Sequence, residues 1–210
     1  MARHAIDYIL KAASQRMHLC WLVLVMLAAV PAAANEADLL PRLQQGGHVL
    51  MMRHAHAPGF GDPPLFTLDN CDTQRNLDHN GRVQAAAVGN WLRDHGIQGA
   101  RVYSSQWCRC QETAKLLKLG PVTLLPALNS FFARPQDRLN SLVALNAFLA
   151  RQAADGPLLI LVTHHANIQA VTGFSIGSGE AVMLQLQPGD APRVVGQLDF
   201  GRADTRTSPK

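Results

Sequence analysis

Apolar and polar positions alternate along this chain in two rhythms. Short segments that read as strands recur at residues 48–53, 101–104, 122–125 and 158–162, most of them apolar. Runs of this length bounded by Gly or Pro read as strands, and the wholly apolar stretch 158–162 as one buried on both faces. Between them the apolar residues return every three or four positions. Asp78 can cap a helix over about 79–95, where Val83, Ala87, Val88, Trp91 and Leu92 share a face and Gly96 sits just past the end. Ser105 is placed to cap the next helix, which carries Arg109, Thr113, Leu116 and Leu117 and closes at Lys118-Leu119-Gly120-Pro121. Leu139, Leu142, Val143, Leu145, Phe148 and Leu149 mark a further helix over about 135–152. A short helix is expected near 37–45, another from after His164 through about Val171, and a closing hairpin from 181–187 and 193–199 around Pro188-Gly189-Asp190. Strands alternating with amphipathic helices predict an α/β domain: a three-layer sandwich with a mostly parallel central sheet and helices on both faces.

Two stretches break the rhythm. Residues 55–75 contain Pro58, Gly59, Gly61, Pro63 and Pro64 and little periodicity, and are expected to form a long loop of the kind that compact domains reserve for function. At the other extreme, residues 19–30 are continuously apolar behind Arg3, Lys11 and Arg16, and Pro31-Ala32-Ala33-Ala34-Asn35 supplies small residues. That pattern predicts an export signal over 1–34, a mature start near Asn35, and a periplasmic or secreted product with no stable membrane span. An uncleaved anchor and a start at Met17 are the alternatives, and Cys20 does not end a convincing lipoprotein signal. The remaining 176 residues suffice for one domain, 35–210.

Residues 1–34 hold three of the 19 basic and one of the 15 acidic residues, so the remainder carries a net charge of only +2. With no basic run interleaved with aromatics, nucleic acid is not an expected partner. Cys71, Cys108 and Cys110 remain after the leader. In an oxidising compartment they predict one disulfide, of Cys71 with Cys108 or with Cys110; three reduced, buried thiols are the alternative. Zinc at Cys108-x-Cys110 lacks a second closely spaced ligand pair.

The candidate chemistry lies at the strand ends. Arg53 and His54 end the 48–53 run, His164 follows the 158–162 run, and Arg109 sits on the helix after the 101–104 run. In open α/β sheets such carboxyl ends face the usual ligand crevice. Two Arg and two His suit phosphoryl transfer: one imidazole attacks phosphorus, and guanidiniums present planar, paired donors to the phosphoryl oxygens.

Arg53-His54-Ala55 resembles the Arg-His-Gly signature of the histidine phosphatase superfamily, which includes phosphoglycerate mutases and histidine acid phosphatases. Ser104-Ser105-Gln106-Trp107-Cys108-Arg109-Cys110-Gln111-Glu112-Thr113-Ala114 is similar to its Ser-Ser-Pro-Leu-x-Arg-Ala-x-Gln-Thr-Ala segment, and Val162-Thr163-His164 to the strand that delivers its second histidine. Gln74-Arg75-Asn76-Leu77-Asp78-x-x-Gly81 looks like the helix start with Leu-Ser/Thr-x-x-Gly. The resemblance implies a phosphoglycerate mutase-like fold, His54 as nucleophile, and a phosphate pocket completed by Arg53, Arg109 and His164, with no metal and no cofactor. The partner it implies is a small phosphorylated substrate; exported members with a similar Cys-rich second motif point to a cell-envelope sugar phosphate.

Departures from the pattern bear on the reaction. Ala55 replaces Gly and Glu112 replaces Gln, while His56 and His165 add imidazoles that either widen the basic pocket or face solvent. Mutase-like relatives place a proton-donating Glu soon after the third strand, where this chain reads Leu128-Asn129-Ser130-Phe131-Phe132. An alkyl phosphate needs general-acid help worth roughly a hundredfold or more, whereas a phosphohistidine, acyl phosphate or aryl phosphate needs much less. Glu180, Asp62 and Asp69 are the candidates to supply that proton. Two other functions are open: a phosphate- or anion-binding protein that keeps the pocket but turns over little or nothing, and a metal-dependent hydrolase that uses His54-x-His56 and His164-His165 as ligand pairs.

Overall fold

A computed structural model describes residues 36–187 and 189–200; the expected leader over 1–34 lies outside the described residues. The apolar runs form strands β1 (His48–Arg53), β2 (Arg101–Ser104), β3 (Val122–Leu124), β4 (Leu159–Thr163), β5 (Ala181–Gln185) and β6 (Arg193–Leu198). The amphipathic stretches form helices α1 (Glu36–Gln45), α2 (His79–Asp94), α3 (Cys108–Leu117), α4 (Arg138–Ala150) and α5 (His165–Thr172). All six strands join one sheet in the order β3-β2-β4-β1-β5-β6. The first four pair in parallel, and β5 and β6 add an antiparallel margin. This is the mostly parallel α/β sheet that the alternation predicts.

Successive side chains on a strand point to opposite faces, and the core divides accordingly. Leu50, Met52, Ile160 and Val162 pack with Leu39 and Leu43 of α1, Val88, Trp91 and Leu92 of α2, and Ala114 and Leu117 of α3. Val49, Met51, Leu159 and Leu161 pack on the other face with Leu145 and Leu149 of α4 and Ile168 of α5. Three helices therefore cover one face and two the other, completing the three-layer sandwich. The central strands β1 and β4 are buried along nearly their whole length, which is why they read as unbroken apolar runs rather than alternating ones.

Asp78 caps α2 as expected, its Oδ1 accepting from the Gly81 amide at 2.7 Å. The expected cap at Ser105 is not formed. Trp107 is the residue before α3 and makes no side-chain cap. Ser105 instead continues the sheet, its amide donating to Val162 O at 3.0 Å, which turns its hydroxyl inward. The helix expected over 135–152 opens with a single 3-10 turn at Pro135–Asp137 before α4 proper.

Close backbone approaches tie α2 to the elements around it. A Cβ at Gly81 would stand 1.9 Å from His56 O, and one at Gly89 would stand 2.2 Å from Leu117 O. Each neighbour is main chain and cannot rotate aside. Gly81→Ala and Gly89→Ala are therefore each expected to destabilise the fold by about 1–3 kcal/mol in urea unfolding, and an unchanged midpoint would show that the helices can part at no cost.

Candidate active site

The parallel register brings the candidate residues to one edge of the sheet. Arg53 at the end of β1 lies opposite Thr163 at the end of β4, and the His54 amide donates to Thr163 O at 3.0 Å. His54 and His164 thus leave adjacent strands side by side, with ring centroids 5.6 Å apart. On the next strand Ser105 follows β2, and its hydroxyl hydrogen-bonds His164 Nε2 at 2.9 Å. Arg109 enters from the first turn of α3. Thr113, one turn later, couples that helix to the first motif: its Oγ1 accepts from the Ala55 amide at 3.0 Å and donates to Arg109 O at 2.7 Å.

Arg53, Arg109 and His164 line a cavity of about 880 Å³ at this edge. His54 is buried, 3% exposed, and stands edge-on to His164. Its Nδ1 hydrogen-bonds Ala55 O at 2.8 Å. A carbonyl can only accept, so Nδ1 carries the proton and the Nε2 lone pair is left for attack. Burial, reinforced by the positive charge of Arg109, pushes the His54 pKa down to about 3, and burial also holds His164 well below the usual histidine value. Both rings are neutral at pH 7, as a nucleophilic imidazole must be.

Arg109 is 3% exposed and belongs to a buried ion pair that the sequence did not disclose. Its Nη1 and Nη2 donate to Asp62 Oδ1 and Oδ2 at 2.7 and 3.1 Å. The Trp107 indole donates to Asp62 Oδ2 at 3.0 Å and the Arg75 amide to Oδ1 at 3.1 Å. Burial raises the Asp62 pKa, but the bonds from Arg109 and Trp107 outweigh it and hold the carboxyl below the usual range. Asp62 is therefore an ionised anchor and not a proton donor. Arg53 and Arg109 both line the cavity, and the Nε of each is buried without a hydrogen-bond partner. Such groups are costly to leave unpaired.

Beside Arg134, which is ion-paired with Asp137, Arg75 adds a further guanidinium to the lining that the catalytic motifs do not single out. Its Nε and Nη1 donate to Gly61 O and Ala57 O at 2.7 and 2.5 Å, so it also shapes the long loop. Against Arg53, Arg75, Arg109 and Arg134 stands one lining carboxylate, Asp62, which leaves the lining net positive. The loop is fastened to α3 by the Cys71–Cys108 disulfide, the first of the two expected pairings, while Cys110 is a free, fully buried thiol pushed up to about 12 by burial.

The remaining candidates fall elsewhere. Glu180 accepts from the Gly177 amide and Gln197 Nε2 at 2.8 and 2.9 Å, closing a turn outside the cavity lining. Asp69 is exposed and also lies outside the lining. Ser130 and Phe132, from the stretch where relatives place a Glu, do line the cavity and bring no carboxyl to it. His56 Nδ1 meets Asp78 Oδ1 at 3.2 Å and His165 Nε2 meets Ser175 Oγ at 2.8 Å, so both pocket-rim histidines have partners. Among the described residues no group of three His, Cys, Asp or Glu side chains converges as a metal site, so the two histidine pairs do not join into one ligand set.

A mostly parallel sheet delivering paired His and Arg to its carboxyl edge is the phosphoglycerate mutase-like fold of histidine phosphatases. Residues 49–133, which carry Arg53, His54 and Arg109, match the family model of the histidine phosphatase superfamily (branch 1). Among solved structures, the protein histidine phosphatase SixA complexed with tungstate shares the fold at a TM-score of 0.52 and 17% identity, covering 74% of this chain and 99% of that one. A protein described as mycobacterial hydrolase 1 does so at 0.52 and 17%, covering 71% and 95%. No curated protein sequence matches the chain.

The neutral, buried histidines carry a measurable signature. In the unfolded chain they titrate near 6.5, whereas folded His54 resists protonation down to about 3. Below pH 6.5 the unfolded state binds protons that the folded state refuses, so the stability present above that pH is lost as the pH falls. Replacing His54 with Ala is expected to flatten the slope of unfolding free energy against pH in this window, by up to about 1.4 kcal/mol per pH unit. An unchanged slope in denaturant titrations would mean that His54 is not held neutral.

Proposed function

We propose that the chain is a phosphatase that transfers a phosphoryl group from a small phosphorylated substrate to His54 and then to water. The observation that carries this reading is the fixed tautomer of His54, Nδ1 committed to Ala55 O, beside a cavity whose Arg53 and Arg109 hold unpartnered N–H groups. In the first step Nε2 attacks phosphorus in line, the P–Nε2 bond forms and the bond to the leaving group breaks. Arg53, Arg109 and His164 stabilise charge on the equatorial oxygens. In the second step water attacks the phosphohistidine, releasing inorganic phosphate and restoring neutral His54. Asp62 holds Arg109 in place during both steps.

The chemistry of the lining favours a leaving group that departs without an acid. Asp62 is the one carboxyl among the lining residues and it is held ionised. An aryl, acyl or nitrogen-linked phosphate fits this site, and a cell-envelope sugar phosphate asks more of it, because an alkoxide requires a proton. The tungstate complex of the protein histidine phosphatase SixA supports the same class, a tetrahedral oxyanion bound by a protein of this fold. The apolar leader and the Cys71–Cys108 disulfide support export to the periplasm or beyond, since disulfides persist in oxidising compartments.

Rapid quenching with a labelled aryl phosphate tests the mechanism. Wild type is expected to give an acid-labile, base-stable adduct on His54, and His54→Ala none. Arg109→Ala is expected to lower kcat/KM by on the order of 3 kcal/mol in transition-state energy, roughly two orders of magnitude. Turnover without an adduct would sink the covalent route. Equal background rates in wild type and His54→Ala, with tungstate still bound, would instead identify an anion-binding protein.

A further inference from the structure

The cavity, at about 880 Å³, is far larger than a phosphate group needs, and its lining is mixed: beside Arg53, Arg109 and His164 it carries exposed aromatic rings. Phe60, from the long loop after β1, and Phe132, from the segment after β3, meet edge to face with centroids 5.3 Å apart and an interplanar angle of 89°. These rings are 88% and 57% exposed, an apolar pair displayed to solvent. Their display is built in. Phe131, next to Phe132, is 6% exposed and buries its own side chain, and the loop that carries Phe60 is braced by Arg75 on Gly61 O and by the Asp62–Arg109 pair.

We propose that Phe60 and Phe132 form a leaving-group subsite for a phosphoryl group carried on an aromatic ring, so that an aryl phosphate is the substrate class of this enzyme. The inference rests on the phosphatase reading above and deepens it. Three observations converge on it. The rings line the same cavity as Arg53, Arg109 and His164, within a volume large enough to hold a phosphate together with its leaving group. A planar ring inserted beside them gains offset or edge-to-face contacts that a polyol cannot make. The lining also supplies no free carboxyl, which suits phenolic leaving groups of low basicity and not alkoxides.

The test separates the ring from the reaction. Kinetics of wild type, Phe60→Ala, Phe132→Ala and the double variant would be measured on 4-nitrophenyl phosphate and on acetyl phosphate, whose leaving group is also weakly basic but has no ring. The double variant is expected to lose about tenfold or more in kcat/KM on the aryl substrate, mostly through KM, and to stay within about twofold on acetyl phosphate. An equal loss on both substrates would make the phenylalanines supports of the loop, and no loss on either would remove the subsite. Calorimetry with phenylphosphonate and methylphosphonate gives the same comparison without turnover. Wild type is expected to bind the phenyl compound about tenfold more tightly and the double variant to bind the two alike. A phenyl preference in a protein that turns nothing over would overturn the phosphatase reading and keep the subsite; turnover with no phenyl preference would do the reverse.

Discussion

The in-register parallel pairing of β1 with β4 is the constraint on which the rest of the site depends. Opposing Arg53 to Thr163 fixes where both strands stop, and the His54 amide bonded to Thr163 O carries the pairing one residue further. Side chains in strands alternate with period two, so a slip of one residue would send His54 and His164 to opposite faces of the sheet. The same registration reaches β2 through Val162 O, which holds Ser105 against His164. Three strand ends are thus set by one ladder, and only Arg109 arrives independently, on a helix anchored to the ladder by Thr113.

Electrostatics divides the site into parts that must be charged and parts that must not. Asp62 gives Arg109 a bidentate partner in a dry setting and keeps the guanidinium oriented. Replacing such a pair with apolar residues is often tolerated in a fold, whereas removing one member is not, because the other is left as an uncompensated buried charge. The pair therefore commits the long loop to a single position over α3. The surplus positive charge that remains acts with burial to keep protons off His54 and His164 and makes the cavity favourable to anions.

Much of this was legible in the sequence, and the failures have physical causes. Strands β1 and β4 could be read because a strand buried on both faces leaves no polar position to confuse it. The four residues Arg53, His54, Arg109 and His164 could be read because the resemblance fixed their order and strand ends fixed their place; the structure sets Arg53, Arg109 and His164 around one cavity, with His54 against His164. Asp62 was visible only as a candidate acid, since nothing local in a Pro- and Gly-rich loop reveals that its carboxylate folds back 47 positions along the chain onto Arg109. Ser105 reads as a helix cap for a related reason. A serine just before a helix has the signature of a cap, and only the neighbouring strand shows that its backbone is still part of the sheet. Arg75 carried a signal, its place in the motif before Gly81, but charge on a loop has no periodicity to set it apart from a solvated side chain.

The Cys71–Cys108 disulfide acts on more than the folded loop. With 37 positions between its ends, the bridge encloses α2 and β2 in a covalent ring that persists when the protein unfolds. Restricting the unfolded chain in this way contributes about 4 kcal/mol in a loop-entropy estimate. The ring has a kinetic face as well. An unfolded but oxidised chain keeps the segment before α2 within reach of the start of α3, so the search that brings Asp62 to Arg109 is shortened before any core has formed. A reduced chain has to find the same ion pair by collapse of the sheet alone, and the long loop is then the last part of the molecule with a reason to settle.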